Sequence, residues 1–218
     1  PALAFGNAVV MKPAELTPAC AWELAKILDE AGCPKGVFNL VLGSGSVVGA
    51  RIAEHPDIDA VSFTGSVPTG RQIGVTCASL GKKVQMEMGG KNPMVVMDDA
   101  NLDVAIGACV NGAFFSTGQR CTASSRLIVT KGIYDKFVGA LTEAADNLVV
   151  GDALDSATQI GPVVDEKQLQ QNVDYVKLAA DEGCDVRGGS IQNGPGFFQK
   201  PAVFASATNN MRVSREEI

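Results

Sequence analysis

The length, composition and charge of this chain exclude several classes of protein. The chain has 218 residues, of which 46% are hydrophobic and 19% are charged, as is typical of folded globular proteins. Its formal net charge of −6 lacks the positive field that binding to a phosphate backbone requires, so we expect no nucleic-acid partner. Neither a membrane-spanning apolar stretch nor a secretory leader is visible, so we expect no membrane partner and a cytoplasmic location.

The six cysteines and the single histidine limit the chemistry that the chain can perform. The cysteines are scattered without a CxxC pair, so we expect reduced thiols and no metal site. His55 lies in a turn with proline and aspartate, which favours a solvated loop residue over a catalytic base. The chain begins with Pro1 and stops at Ile218 without a turn signal, so we expect it to be part of a longer protein.

The hydrophobic pattern predicts an α/β fold. From residue 8 to about residue 129, short β-branched runs alternate with amphipathic stretches, which indicates β-α-β units and a parallel sheet. In chain order, the first predicted elements are a strand at 8–11, a helix capped by Thr17 that begins at Pro18 and runs to about residue 31, a strand at 37–42, a turn at 43–46 that leads into a helix ending near His55, a strand at 60–63 and a helix opened by residues 64–66.

The second part of the chain continues the alternation of strands and helices. Its predicted elements are strands at 84–88 and 93–97, a helix at 102–115, a strand at 125–130, helices at 134–148 and 165–182, and a surface loop at 188–196. A polar turn at 116–121 separates the first of these helices from the strand that follows. This turn contains Cys121, the one cysteine that is predicted to lie in a loop between elements.

A glycine-rich turn follows the second predicted strand. Gly43, Gly45 and Gly49 form the spacing GxGxxxG, where a dinucleotide-binding fingerprint would have GxGxxG. Two interpretations therefore stay open for this motif alone: a dinucleotide-binding turn, or glycines that let the helix pack closely on the strand.

A second strand-to-helix turn contains Thr64, Gly65 and Ser66. Ser66 is predicted to cap the helix, and the free amides and dipole at such an end favour an anion. An ordinary capped helix is an equally good interpretation of this motif alone.

Cys121 and Glu87 are the candidate catalytic residues. Cys121 follows Arg120 in a glycine-bearing turn, where the neighbouring cation favours an accessible, reactive thiolate, whereas the other five cysteines are expected to be buried and inert. Glu87 stands near the end of an otherwise apolar strand, so we expect a desolvated carboxylate suited to general-base catalysis. A salt-bridged glutamate at a strand end is the alternative interpretation of Glu87.

Four motifs together resemble the aldehyde dehydrogenase superfamily in their order and spacing. They are Lys12-Pro13-Ala14-Glu15-Leu16-Thr17-Pro18, Phe63-Thr64-Gly65-Ser66, Glu87-Met88-Gly89-Gly90-Lys91 and Gly118-Gln119-Arg120-Cys121. The resemblance covers all 218 residues and the middle of the family's longer chain, and Glu216-Glu217-Ile218 resembles the start of the family's EEIFGP motif. The segments 86–93 and 114–126 are most similar to the α-ketoglutaric semialdehyde (2,5-dioxopentanoate) dehydrogenases.

The resemblance implies the fold, the reaction and the partners. It implies an aldehyde dehydrogenase-like α/β fold, with a parallel-sheet cofactor-binding domain at 1–88 and part of an α/β catalytic domain at 89–218. The implied reaction is NAD(P)-dependent oxidation of an aldehyde to a carboxylic acid, with α-ketoglutaric semialdehyde and 2-oxoglutarate as the expected substrate and product. NAD is the expected cofactor, NADP is expected to be tolerated, and the expected assembly is a homodimer or homotetramer.

The same resemblance assigns roles to individual residues. Cys121 would form a thiohemiacetal and then a thioester, and Glu87 would activate the water that hydrolyses the thioester. The implied cofactor-binding residues are Lys12 and Glu15 at the adenosine ribose, Ser66 with Gly45, Thr64 and Gly65 at the phosphate turns, and Glu217 at the nicotinamide ribose. The family's second oxyanion donor, an asparagine upstream of residue 1, lies outside this sequence.

Alternative functions remain to be weighed against this one. A thiol hydrolase or acyltransferase that uses Cys121 without a cofactor would need no adenosine-site pair, and it would give no reduced-nicotinamide absorbance at about 340 nm. A non-catalytic relative would have lost the nucleophile, whereas Cys121 and Glu87 are both present. Within the dehydrogenases, another semialdehyde or an aliphatic aldehyde is the alternative substrate.

Overall fold

The first of two compact units spans Pro1–Met88 in the computed structural model, which describes residues 1–218. Its elements are β1 (Val9–Met11), α1 (Ala19–Glu30), β2 (Phe38–Leu40), α2 (Ala50–Glu54), β3 (Ala60–Gly65), α3 (Val67–Ser79) and β4 (Lys83–Met88). β1 pairs with β2 and β3 pairs with β4, both in parallel, and a helix joins the two strands of each pair. The predicted parallel ladder is therefore present as two separate pairs of strands.

The second unit spans Gly89–Ile218. Its elements are β5 (Pro93–Val96), α4 (Leu102–Ala113), β6 (Arg126–Val129), α5 (Tyr134–Asp146), α6 (Glu166–Asp181), β7 (Asp185–Gly188), β8 (Ala202–Ala205) and α7 (Arg212–Arg215). β5 and β6 form a third parallel pair around α4, whereas β7 and β8 are antiparallel. The sequence pattern did not predict β7 or β8, which flank the glycine-rich loop.

The start of α1 differs from the prediction. Thr17 was expected to cap the helix, with Pro18 as its first residue. Instead, Thr17 closes a turn by donating its N–H to the carbonyl oxygen of Ala14, and α1 begins at Ala19 after Pro18. Proline donates no backbone hydrogen bond, so it is tolerated at either of these two positions.

Two other helix starts follow the sequence closely. Ser66 precedes α3, and its Oγ accepts the N–H of Thr69, as expected of a capping serine. Asn101 caps α4 in the same way, because its Oδ1 accepts the N–H of Val104 at 3.1 Å. The longest helix, α6, has 16 residues, and no helix is both long and apolar enough to span a membrane.

The main hydrophobic core of the second unit lies between β5, α4 and α5. Its buried members are Val96, Ala105, Cys109, Ile133, Phe137 and Leu141. Phe137 and Leu141 are one helical turn apart on α5, so both lie on the face of this helix that packs against β5 and α4. This core supports the carboxyl end of α4, from which the chain enters the turn that carries Cys121.

Candidate functional site

In the first unit, the structure brings three of the predicted cofactor-binding residues together at one turn. Glu15 Oε1 accepts the backbone N–H of Gly45 at 2.6 Å. Lys12 Nζ donates to the carbonyl oxygens of Pro13 and, at 3.4 Å, Gly43. β1 and β2 both end just before these residues, and the carboxyl ends of parallel strands are where open α/β sheets bind ligands.

The conformation of this turn depends on glycine. Gly43 has a φ of 144°, which side chains rarely adopt, and a Cβ on Gly43 would lie 2.6 Å from a methyl group of Val48. The chain then forms a single π-helical turn at Gly45–Gly49, in which the Ser44 carbonyl oxygen accepts from Val48 and, at 3.4 Å, from Gly49. Such single π-turns are frequent at functional sites.

Thr64, Gly65 and Ser66 lie where β3 passes into α3. Thr64 and Gly65 are the last two residues of the strand, and Ser66 is the N-cap of the helix. Ser66 Oγ also donates to the hydroxyl of Thr69 at 3.0 Å, which fixes its direction. The three residues therefore surround the N-terminus of a helix that is long enough to carry a helix dipole.

The environment of Glu87 differs from the prediction. Glu87 was expected to be desolvated among methionines, but its side chain is exposed and accepts a hydrogen bond from Gln85 Nε2 at 3.3 Å. Successive residues of a strand face opposite sides. Met86 and Met88 accordingly pack toward the glycines of α3, and Glu87 points away from them.

Cys121 lies in an exposed tight turn of the second unit. The turn is closed by the N–H of Ala123, which donates to the carbonyl oxygen of Arg120 at 2.9 Å. Asn92 Nδ2 donates to the Cys121 carbonyl oxygen at 2.5 Å and to that of Ala123 at 3.4 Å. The N–H of Cys121 itself donates to no protein group, so both this amide and the thiol are open to a ligand.

The other cysteines follow the prediction with one exception. Cys77, Cys109 and Cys184 are buried and Cys33 is half-buried, whereas Cys20 is exposed. Burial raises the pKa of Cys109 to about 11 and raises that of Cys184 as well, so both thiols stay protonated. The prediction was wrong for Cys20, because on α1 its neighbour Ala21 faces the interior and Cys20 faces solvent.

Glu217 packs against Gly89, the first residue of the second unit. A Cβ on Gly89 would collide with the Glu217 carboxylate, so only glycine leaves room for this arrangement. Lys91 lies close by, and burial lowers the pKa of its amine to about 8, a shift that the Glu217 carboxylate opposes and that Arg126 increases. One cluster is thus formed by Glu217, Gly89 and Lys91. Among these three residues, the sequence predicted a functional role only for Glu217.

Glu216, next to Glu217, anchors the end of the chain. It accepts hydrogen bonds from Arg212 Nε at 3.0 Å, Arg212 Nη2 at 2.9 Å and the Tyr175 hydroxyl at 2.8 Å. The hydrogen bond from Arg212, and to a lesser degree that from Tyr175, holds the pKa of Glu216 below its ordinary value. The sequence pattern does not predict this anchor, because Tyr175 is 41 residues away from Glu216 and no local motif links the two.

The aldehyde dehydrogenase family matches residues 1–218, the whole of this chain. The chain belongs to this family. The family that the four motifs predicted is thereby confirmed, while the roles of the individual residues remain proposals.

Curated relatives in the aldehyde dehydrogenase family are identical to this chain at nearly half of its residues. Betaine aldehyde dehydrogenase of Rhizobium leguminosarum is 46% identical over 222 residues, which cover 100% of this chain and 45% of the relative. The α-ketoglutaric semialdehyde dehydrogenase of Bacillus subtilis is 43% identical over 223 residues, which cover 100% of this chain and 46% of that protein. The chain therefore spans a little under half the length of these relatives.

Solved aldehyde dehydrogenase structures confirm the predicted fold class. The NAD⁺ complex of an aldehyde dehydrogenase from Bacillus cereus has a TM-score of 0.96 and 40% identity, covering 99% of this chain and 44% of that chain. A betaine aldehyde dehydrogenase from Staphylococcus aureus in complex with NAD⁺ has a TM-score of 0.95 and 36% identity, with the same coverage.

Proposed function

We propose that this protein is an NAD(P)-dependent aldehyde dehydrogenase in which Cys121 is the nucleophile. The observation that carries the proposal is the Cys121 turn: an exposed thiol, a backbone N–H without a protein partner, and a carbonyl group anchored by Asn92. A thiol and a free amide on the same residue can attack a carbonyl carbon and hold the oxygen that becomes negative. Membership of the aldehyde dehydrogenase family supports the same reaction.

The first half of the proposed reaction takes place on Cys121. Its thiolate adds to the aldehyde carbon, and the carbonyl oxygen, now an alkoxide, accepts the N–H of Cys121. NAD, when bound, supplies an acceptor for the hydride that leaves this carbon. The alkoxide collapses as the hydride departs, and a thioester remains on Cys121.

The second half of the reaction frees the cysteine. We assign Glu87 as the general base that removes a proton from water, whose oxygen then attacks the thioester carbon. The carbon–sulfur bond breaks, which releases the carboxylic acid and restores the Cys121 thiolate. The Glu87 side chain is exposed, although it was expected to be buried, so its carboxylate is accessible to the water that it would deprotonate.

The residues of the first unit fit a dinucleotide. Lys12 and Glu15 converge on the Gly43–Gly45 turn, where a carboxylate can accept hydrogen bonds from ribose hydroxyl groups. Ser66, with Thr64 and Gly65, would receive the pyrophosphate at the N-terminus of α3, and Glu217 would bind the nicotinamide ribose. We therefore assign cofactor binding chiefly to Pro1–Met88, which also carries the proposed base Glu87, and we assign the nucleophile Cys121 and the cofactor contact of Glu217 to Gly89–Ile218.

We propose α-ketoglutaric semialdehyde as the substrate, in preference to betaine aldehyde. The Arg120 guanidinium is next to Cys121 in the chain, and its hydrogen-bond partners Ser116 and Asn111 are neutral, so its charge is not compensated by a carboxylate. An uncompensated cation attracts the carboxylate of a semialdehyde and repels a trimethylammonium group. The betaine aldehyde dehydrogenase of Rhizobium leguminosarum is slightly more similar to this chain (46% identity) than the α-ketoglutaric semialdehyde dehydrogenase of Bacillus subtilis (43%), so the preference for the semialdehyde rests on Arg120 and not on the relatives.

A panel of aldehydes assayed with NAD and with NADP tests this function in the full-length protein. Aldehyde-dependent absorbance at about 340 nm is expected, with kcat/KM for α-ketoglutaric semialdehyde at least about tenfold above that for betaine aldehyde. A higher kcat/KM for betaine aldehyde would overturn the substrate assignment. Turnover of thioesters without any nicotinamide signal would instead favour the thiol hydrolase.

The choice of cofactor is expected to depend on Glu15. A carboxylate at the adenosine ribose repels the 2′-phosphate of NADP, and nearby Lys12 partly offsets that repulsion. We predict that kcat/KM with NAD exceeds kcat/KM with NADP by one to two powers of ten, or about 1.4–2.8 kcal/mol. Glu15→Gln should lower this ratio by raising kcat/KM with NADP. Steady-state kinetics with both cofactors checks this. A wild-type preference for NADP, or an unchanged ratio in Glu15→Gln, would show that Glu15 does not govern the choice.

The position of Glu217 is expected to depend on Gly89. In Gly89→Ala the new methyl group displaces the Glu217 carboxylate, so the KM for NAD should rise about tenfold, which corresponds to about 1.4 kcal/mol. Gly90→Ala is the matched control, because the nearest atom to a Cβ there is 4.0 Å away, and its KM should stay within about twofold of wild type. Equal effects of the two substitutions on the KM for NAD would contradict the role of Glu217.

A further inference from the structure

The turn that leads to Cys121 is left-handed over three consecutive residues. Ser116, Thr117 and Gly118 have φ values of 58°, 56° and 69°. Glycine adopts this conformation freely, but side chains adopt it rarely, and a β-branched threonine is a genuine outlier. Ser206 is the one other non-glycine residue with positive φ in the chain. Two of the three such residues therefore lie four and five positions before the proposed nucleophile.

The Arg120 side chain connects this turn to α4. Its Nε donates to Ser116 Oγ at 3.2 Å, and its Nη1 donates to both the carbonyl oxygen and Oδ1 of Asn111 at 3.4 Å. Asn111 lies in the last turn of α4, where carbonyl oxygens have no partner within the helix. A cation at this end of a helix is also favoured by the helix dipole.

Arg120 is joined directly to the tight turn that presents Cys121. The Arg120 carbonyl oxygen accepts the N–H of Ala123, so Arg120 is the first corner of that turn and Cys121 is its second residue. Asn92 holds the turn from the other side through the Cys121 carbonyl oxygen. The direction of the Cys121 thiol and N–H therefore depends on where Arg120 is held.

We propose that Arg120 is a positioning residue: its guanidinium stabilises the strained left-handed turn 116–118 and thereby orients Cys121. This inference rests on the proposed function, in which Cys121 is the nucleophile. It requires the planar, forked guanidinium and not merely a positive charge, because Ser116 and Asn111 are reached by different nitrogens of one rigid group. If the strain at Thr117 is relieved, the orientation of Cys121 should therefore depend less on the Arg120 guanidinium.

Substitutions of Arg120 in the full-length protein separate geometry from charge. Arg120→Lys keeps the charge and loses the fork, whereas Arg120→Gln loses both. We expect both to lower kcat about tenfold, with the KM for NAD within about twofold of wild type, and both to slow alkylation of Cys121 by iodoacetamide to a similar degree. An Arg120→Lys variant with wild-type kcat and alkylation rate would show that the charge suffices and would overturn the proposal.

A double-mutant cycle with Thr117 tests the strain itself. In a Thr117→Gly background, Arg120→Lys should lower kcat less than about threefold, because glycine holds the left-handed conformation without help. In the control background Thr117→Ala, which loses the same hydroxyl but keeps a side chain, the full loss of about tenfold should remain. An equal loss in both backgrounds would contradict the role of the turn.

The outcomes distinguish this inference from the proposed function. If Cys121→Ser retains aldehyde oxidation, the proposed function fails, whatever the Arg120 variants do. If Cys121→Ser is inactive and the Thr117 backgrounds show no coupling to Arg120, the positioning role alone fails. Should Thr117→Gly not fold, the comparison of Arg120→Lys with Arg120→Gln decides the question by itself.

Discussion

Replacing Cys121 with serine is expected to abolish aldehyde oxidation while leaving cofactor binding nearly intact. A hydroxyl group is a far weaker nucleophile than a thiolate, so kcat should fall by at least about a thousandfold. The residues proposed to bind NAD are all elsewhere in the sequence, so the Kd for NAD should stay within about twofold of wild type. Absorbance at about 340 nm measures the first quantity, and fluorescence titration with NAD measures the second.

Cys20 provides the matched control for this substitution, because it is the other exposed cysteine of the chain. Cys20→Ser should leave kcat within about twofold of wild type, since exposure alone does not make a thiol catalytic. In the unmodified protein, iodoacetamide at neutral pH should label Cys121 before Cys20 or the buried Cys184. Preferential labelling of either of those two would show that the nucleophile is wrongly assigned.

Replacing Glu87 with glutamine is expected to stall the second half of the reaction more than the first. The amide cannot take a proton from water, so the thioester on Cys121 should accumulate. We predict a burst of about one NADH per active site, followed by a steady-state rate about a hundredfold below wild type. Rapid-mixing measurement of NADH formation resolves the two phases.

Gln85 allows a control on the same face of β4. It donates a hydrogen bond to Glu87, so Gln85→Ala disturbs the surroundings of the carboxylate without removing it. Both phases should then stay within about threefold of wild type, because a single exposed hydrogen bond contributes little. If Glu87→Gln lowers the burst and the steady state by equal factors, Glu87 has a structural role instead.

Much of the fold was predictable because local patterns determine it. Short β-branched runs predict β1 and β3, and Lys12 and Thr64 lie at the ends of these strands. The start of α3 is predicted by Ser66, which caps the helix. β7 and β8 were missed because they are short and are separated by a glycine-rich loop. The two strands are neighbours in the sequence and pair antiparallel across this loop, whose Asn193-Gly194 dipeptide is typical of hairpin turns, so a local signal for the pairing was present but was interpreted only as part of a loop.

The environment of the candidate residues was less predictable than their identity. Glu87 was expected to be buried because its neighbours in sequence are methionines. Successive residues of a strand face opposite sides, however, so the burial of Met86 and Met88 does not predict the burial of Glu87. The contacts of Asn92 with the Cys121 turn and of Tyr175 with Glu216 join residues 29 and 41 positions apart. Tertiary packing decides such contacts, and a single sequence does not record them.

The most direct test of the proposed function is to identify the covalent intermediate. Glu87→Gln protein is mixed with NAD and α-ketoglutaric semialdehyde, quenched during the burst, digested and analysed by peptide mass spectrometry. The mechanism predicts an acyl group on the peptide that contains Cys121, formed only when aldehyde and NAD are both present. An acyl group on another cysteine, or one that forms without NAD, would contradict it.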